Sequence, residues 1–182
     1  IKLSDVIITN RQGDNIQSGS HADGSYTVQR ESSPDLATSD VTIKTAKLVP
    51  GGKATITWKV SNVGGENTRS GWTERVYLVN ESEEQVHIGN TYFSNTLTKG
   101  GYITRSAEFD LSQTIGLEGD VKAKVVVEPN SGCGEYNTDR ANNTAMSEGT
   151  APLEKRLFLS APADVVKEGQ SMRLTLKRSG DL

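Results

Sequence analysis

Few residues in this chain could do chemistry, and their spacing limits what that chemistry is. Glu74 lies in the run Trp72-Thr73-Glu74-Arg75-Val76-Tyr77-Leu78. Strand alternation places it on the same face as Trp72 and Val76. A carboxylate on an apolar inner face must be paired or have its pKa shifted. Arg75 points to the opposite face, so the partner has to come from another strand. Two facing carboxylates could hydrolyse a glycosidic bond, and a chain with 23 acidic residues always offers pairs. The ordinary role of such a Glu is structural and hydrogen-bonded, and Glu74 is read in that way.

Nucleophilic catalysis needs a nucleophile within reach of a base. The single cysteine, Cys133, and the two histidines, His21 and His87, are far apart in sequence and have no motif around them. One cysteine excludes a disulfide within this chain, and Cys133 reads as a free thiol in the glycine-rich turn Gly132-Cys133-Gly134. A bridge to another chain, or to a partner elsewhere in a longer parent protein, is the alternative. There is no Gly-x-Ser-x-Gly elbow, no glycine loop opening a helix onto a phosphate and no zinc pattern. Calcium takes six to eight oxygens. Two sets could contribute, Asp139 with Asn142 and Asn143, and Asp110 with Glu118 and Asp120, but neither matches a calcium-binding loop. Asx residues are expected at turns in any case. No catalytic, cofactor-binding or metal residue is therefore assigned, and calcium is the one ion left open.

The elements that must position these residues have a period of two. Residues 54–60 place Ala54, Ile56, Trp58 and Val60 on one face, with Thr55, Thr57 and Lys59 on the other. Residues 121–127 repeat this, with Val121, Ala123, Val125 and Val127 inward. Residues 41–43, 72–79 and 104–111 are further strands, and 86–93 and 143–147 are weaker candidates. Turn signals separate the runs, among them Pro50-Gly51-Gly52, Asn62-Val63-Gly64-Gly65, Lys99-Gly100-Gly101 and Glu118-Gly119-Asp120. No window sustains helical periodicity, and only 153–156 is helix-permissive. About seven short strands at this spacing predict an all-β, immunoglobulin-like β-sandwich over residues 34–149, with extra flanking strands at both ends. Residues 1–33 read as a strand segment of a preceding module, with strands at 6–8 and 26–28. Residues 150–182 read as a linker, 149–152, followed by the opening strands of another module at 157–159 and 172–176. The chain starts at Ile1 and stops on Ser179-Gly180-Asp181-Leu182, which reads as a piece of something longer. Its C-terminal strands are expected to pair across a sheet edge of the sandwich or with another chain.

Four motifs in order give this span a family resemblance. They are Pro34-Asp35-Leu36, Trp58-Lys59-Val60-Ser61-Asn62-Val63-Gly64, the run from Trp72 to Leu78, and residues 135–143 ending Asn142-Asn143-Thr144-Ala145. Together they resemble the CARDB family, the cell-adhesion-related domain found in bacteria. Gly132-Cys133-Gly134 makes the last hairpin unusual for that family. A second resemblance covers the end of the chain. Ser160-Ala161-Pro162, Val165, Glu168-Gly169 and the stretch from Leu174 to Leu182 are similar to the opening of a Calx-beta repeat. Both resemblances imply secreted or surface-anchored, multi-domain proteins.

Composition narrows the partners. Net charge is −3 with interspersed signs, which argues against nucleic acid and anionic membranes. No stretch approaches the roughly 18 apolar residues of a membrane helix. The expected function is a non-catalytic structural or adhesive module of a bacterial secreted or surface protein, monomeric apart from edge-strand contacts, with a protein or glycan ligand that the sequence does not identify. The alternative is an accessory, targeting domain of a secreted polysaccharide- or protein-degrading enzyme. An exposed cluster of Tyr77, Tyr92, Phe93 and Tyr102 would favour that alternative.

Overall fold

Alternation and turn residues together divide residues 32–160 into short strands. The computed structural model describes residues 32–160, 171 and 173–178. The strands are β1 (Leu36–Ile43), β2 (Lys53–Asn62), β3 (Trp72–Asn80), β4 (Gln85–Phe93), β5 (Tyr102–Asp110), β6 (Gly119–Pro129), β7 (Thr144–Met146), β8 (Ala151–Leu153), β9 (Leu157–Ser160) and β10 (Thr175–Arg178). β1, β2 and β5 form a three-stranded antiparallel sheet. β4, β3 and β6 form the second sheet, and β7 and β8 occupy successive stretches of the outer edge of β6. The all-β, immunoglobulin-like sandwich is as expected, with eight strands in place of about seven.

The core lies between the sheets and is made of the alternating residues. Ala54, Ile56, Trp58 and Val60 of β2 face Val121, Ala123, Val125 and Val127 of β6, all buried, with Trp58 1% exposed. Full burial of a Val, Leu or Ile side chain contributes about 1.5–3 kcal/mol. Leu36, Leu48, Leu111, Ile115, Leu117 and Leu153 close the two ends of this layer.

Two irregularities shape the edges. In β1 the register shifts between Ser39 and Thr42, a bulge that holds Asp40 at φ 54°; aspartate is among the few side chains that tolerate this region. In β4, Val76 pairs with Gly89 and Tyr77 with His87, so one extra residue is accommodated there. Gly89 lies against the Phe109 ring of β5, and a Cβ at this position would come within 2.6 Å of Cδ1. Glycine therefore lets the two edge strands approach.

The structure corrects several sequence expectations. The sequence of residues 149–152 reads as a linker, but Ala151–Leu153 is a strand: Gly119 pairs with Leu153 and Val121 with Ala151, and both apolar side chains enter the core. A parallel bridge joins Leu153 to Leu48. Proline disguised this strand, and it is tolerated because β8 is an edge strand. Where β7 breaks off, Ser147 keeps the ladder satisfied. Its N–H donates to the Ala123 carbonyl at 2.8 Å, and its hydroxyl oxygen accepts the Ala123 N–H at 3.0 Å. Leu153 to Arg156 forms no helix. The helix among the described residues is instead a 3-10 turn, Asn137–Asn142, which has no apolar periodicity to announce it. At the C-terminus β9 pairs antiparallel with β10, Leu157 opposite Arg178 and Ser160 opposite Thr175. Among the described residues these strands pair with each other and not with an edge of the sandwich. Residues 1–31, and most of the residues that carry the Calx-beta resemblance, lie outside the described residues.

Trp58 provides the test of the core. Trp58→Ala is expected to cost about 3–5 kcal/mol in a urea titration, the usual large-to-small range. Its indole N–H has no protein acceptor, so Trp58→Phe should cost much less. Equal and small costs for both would mean that the interior is not packed on this ring.

Candidate functional site

Glu74 is the one inner-face carboxylate of β3, and it is 0% exposed. The strands around it supply three kinds of donor. From β3 itself, the Trp72 indole N–H donates to Oε1 at 3.1 Å. From β4, the Thr91 hydroxyl makes a short hydrogen bond to Oε2. From β5, in the opposite sheet, Arg105 Nε lies 3.2 Å from Oε1 and 3.0 Å from Oε2. The expected partner from another strand is therefore Arg105. Its Nη2 also donates to the Tyr92 carbonyl of β4 at 3.2 Å, and its guanidinium lies 5.7 Å from the centre of the Phe93 ring. Phe93 in turn stacks on Trp72 at 4.3 Å. Gly71 permits this packing, because a Cβ there would meet the Phe93 carbonyl oxygen at 1.6 Å.

This is an ion pair that clasps the two sheets along the β4–β5 seam. Both carboxylate oxygens of Glu74 hold donors, and the group facing them is a guanidinium and not a second carboxylate. Arg105 itself was missed in the sequence. Its signal is the alternation Ile103, Arg105, Ala107, Phe109, which sets an arginine on the inner face of β5, where its side chain is 23% exposed.

A second buried polar cluster closes the end of the sandwich where β1 begins. Glu135 accepts the Leu36 N–H at 3.1 Å and the Asn143 side-chain amide at 3.1 Å. Asn142 donates to Asp35 at 2.9 Å, and the Asn143 carbonyl accepts both the Thr38 hydroxyl and the Val127 N–H. Burial pushes the Glu135 carboxyl above the usual carboxylate range, with Asp35 adding to the rise; the Asn143 amide, the Leu36 N–H and Arg140 offset part of it. Burial likewise pushes the Cys133 thiol up.

The remaining sequence candidates are dispersed. Cys133 is free and fully buried in the core, in the turn that follows β6. Its raised pKa makes it a poor nucleophile. His87 is on the solvent side of β4, bonded to Asn90 Oδ1 at 2.6 Å and tilted against Tyr77. The structure does not bring Cys133 and His87 together, and His21 lies outside the described residues. Asn142 and Asn143 donate to Asp35 and Glu135; the Asp139 side chain is outside the description. Asp110 ends β5, Glu118 pairs with Lys155, and Asp120 sits in β6 opposite Pro152. Among the described residues no three His, Cys, Asp or Glu side chains gather around one point. The aromatic set also divides. Phe93 is buried, Tyr77 is half-buried beside Lys124, and Tyr92 (56% exposed) and Tyr102 (65% exposed) belong to different sheets.

The CARDB family model matches residues 33–147. Three solved structures are similar in fold. A CARDB domain from Pyrococcus furiosus, in complex with di-metal ions, is 18% identical and covers 74% of this chain and 100% of its own, with a TM-score of 0.45. A domain of a presumptive cell surface protein of Methanosarcina acetivorans is 19% identical, covering 66% of this chain and 92% of its own, at a TM-score of 0.41. The sporulation control protein Spo0M of Bacillus subtilis is 13% identical, covering 66% and 49%, at 0.41. No curated protein matches the chain.

Two measurements check these clusters. Arg105→Met should leave a buried, charged Glu74 without its counter-ion and cost about 3–5 kcal/mol in unfolding free energy. For Glu135 the folded pKa lies above the unfolded value of about 4.3. Its contribution is thus fully present below that value and lost as pH rises through the higher folded pKa. The stability of the wild type relative to Glu135→Gln should therefore fall as pH rises from about 4 towards neutrality. A difference that does not change with pH would contradict the assignment.

Proposed function

The chain belongs to the CARDB family, and we propose that it is a non-catalytic structural and adhesive module of a bacterial protein of several domains, secreted or held at the cell surface. The observation that carries this reading is the use of Glu74. The most deeply buried carboxylate among the described residues ties β3 to Arg105 across the sandwich and faces no second carboxylate among them. The other candidate groups for chemistry among the described residues are buried in the core, paired, or separated between the two sheets.

As such a module the sandwich acts as a spacer, and its loops and sheet edges contact a protein or glycan partner. Its net charge of −3 favours neither nucleic acid nor an anionic membrane surface. Residues 154–182 would then lead into a further module of Calx-beta type, a reading supported by the pairing of β9 with β10 apart from the sandwich edges. The alternative of an accessory domain in a polysaccharide-degrading enzyme draws no support from the aromatic residues, because Tyr92 and Tyr102 share no face.

Incubation with panels of esters, glycosides and peptides tests this most directly. No turnover is expected. Turnover that disappears in a folded Glu74→Gln variant would replace the module reading with a carboxylate-based hydrolase.

A further inference from the structure

We propose that this module is built to carry tension, with its first and last strands forming a shear clamp between the points where the chain enters and leaves the sandwich. The proposal rests on the spacer reading above and adds the direction in which the spacer is strong.

The two points lie at opposite ends of the sandwich. The chain enters at Leu36, which pairs with Asn62, at the end where β5 begins and β6 finishes. It leaves after Leu153, which pairs with Gly119, the first residue of β6. β6 has 11 residues, so the span between the ends is about 35 Å at strand rise.

The first and last stretches run in the same direction. Thr38 Oγ1 donates to the Asn143 carbonyl at 2.9 Å, a separation of 105 residues. Leu48 bridges Leu153 in parallel, and 153 − 48 is again 105. The offset is constant, so the N-terminal stretch lies alongside β7 and β8 from one end of the sandwich to the other. Bonds fasten the two stretches at both ends. At the entry end they are Leu36 N–H to Glu135 and Asn142 to Asp35, beside Thr38 to Asn143. At the exit end, Leu48 N–H donates to the Pro152 carbonyl at 2.9 Å and Glu154 N–H donates to the Leu48 carbonyl at 2.9 Å. Lys47 and Glu154 add an ion pair. Between the two ends, the bulge at Asp40 and the turn after Met146 leave an open groove of about 600 Å³.

Tension applied through the flanking chain pulls β1 towards the entry end and β8 towards the exit end. The two stretches must then slide past each other along their axes, and the bonds at both ends are loaded together. Peeling β1 away from one end would load the same bonds one after another. A spacer whose end strands ran antiparallel, with both termini at one end, would meet tension only in the weaker, peeling mode.

The test is single-molecule force spectroscopy on the full 182-residue chain. One geometry tethers the two termini. The other tethers the N-terminus and position 63, an exposed valine just past the end of β2, from which β1 is peeled. Unfolding of the sandwich between the termini is recognised by the release of about 400 Å of chain, and peeling up to position 63 by the release of about 90 Å. The expected unfolding force between the termini is at least about twofold that of the peeling geometry at the same loading rate. Two variants place the effect. Glu154→Pro removes the Glu154 N–H, and Glu154→Ala keeps it while removing the ion pair. Under terminal tension the proline variant should unfold about tenfold faster than the alanine variant. In the peeling geometry, where this bond breaks late, the two should not differ. Equal forces in the two geometries, or no difference between proline and alanine under terminal tension, would overturn the clamp. Either result would leave the spacer reading standing, because that reading fails only by enzymatic turnover.

Discussion

A charge buried between two β-sheets has to be answered from the far side. That constraint governs the arrangement around Glu74. The side chain sits on the inner face of β3 because alternation puts it there, and desolvation makes an unpaired carboxylate there untenable. The answer comes from Arg105 of the other sheet, supported by Trp72 and Thr91. Four strands meet at this point: β3 supplies the acid, β4 a hydroxyl and a carbonyl, β5 the base, and β2 flanks β5 with Trp58 opposite Arg105. The seam between the edge strands β4 and β5 is held by charge, where the layer between β2 and β6 is held by apolar packing. A buried pair of this kind is weak evidence for net stability, since an apolar replacement can do as well. What it supplies is a fixed relation between the two sheets at one edge.

The opposite seam is held differently. The N-terminal stretch diverges from β7 and β8 at the Asp40 bulge and is rejoined to them at each end by hydrogen bonds involving Glu135, Asn143, Leu48 and Pro152. One edge is thus closed by an ion pair at its middle, the other by polar contacts at its extremities. Both arrangements commit their polar groups to contacts within the sandwich.

Much of this was legible in the sequence. The face of Trp58, the inward row of β6 and the need of Glu74 for a partner from another strand all follow from a period of two. The identity of Arg105 follows from the same rule, since Ile103, Ala107 and Phe109 flank it on one face. Alternation does not say which sheet a strand joins, and for that reason Tyr92 and Tyr102 could be read as neighbours although they lie on different sheets. Nor does it reveal β8, where a three-residue strand centred on proline looks like a linker until Leu153 is seen to fill the end of the core. The 3-10 turn at Asn137–Asn142 and the network around Glu135 depend on contacts between residues about a hundred positions apart, and no local pattern encodes those.

The claim that the sheets are clasped by one buried pair is tested most directly by a double-mutant cycle. Glu74→Leu, Arg105→Leu and the double variant would be compared with the wild type in urea unfolding. A coupling energy of about 2–3 kcal/mol is expected, with the double variant more stable than Glu74→Leu or Arg105→Leu alone. A coupling near zero, with the two single losses simply adding, would contradict it.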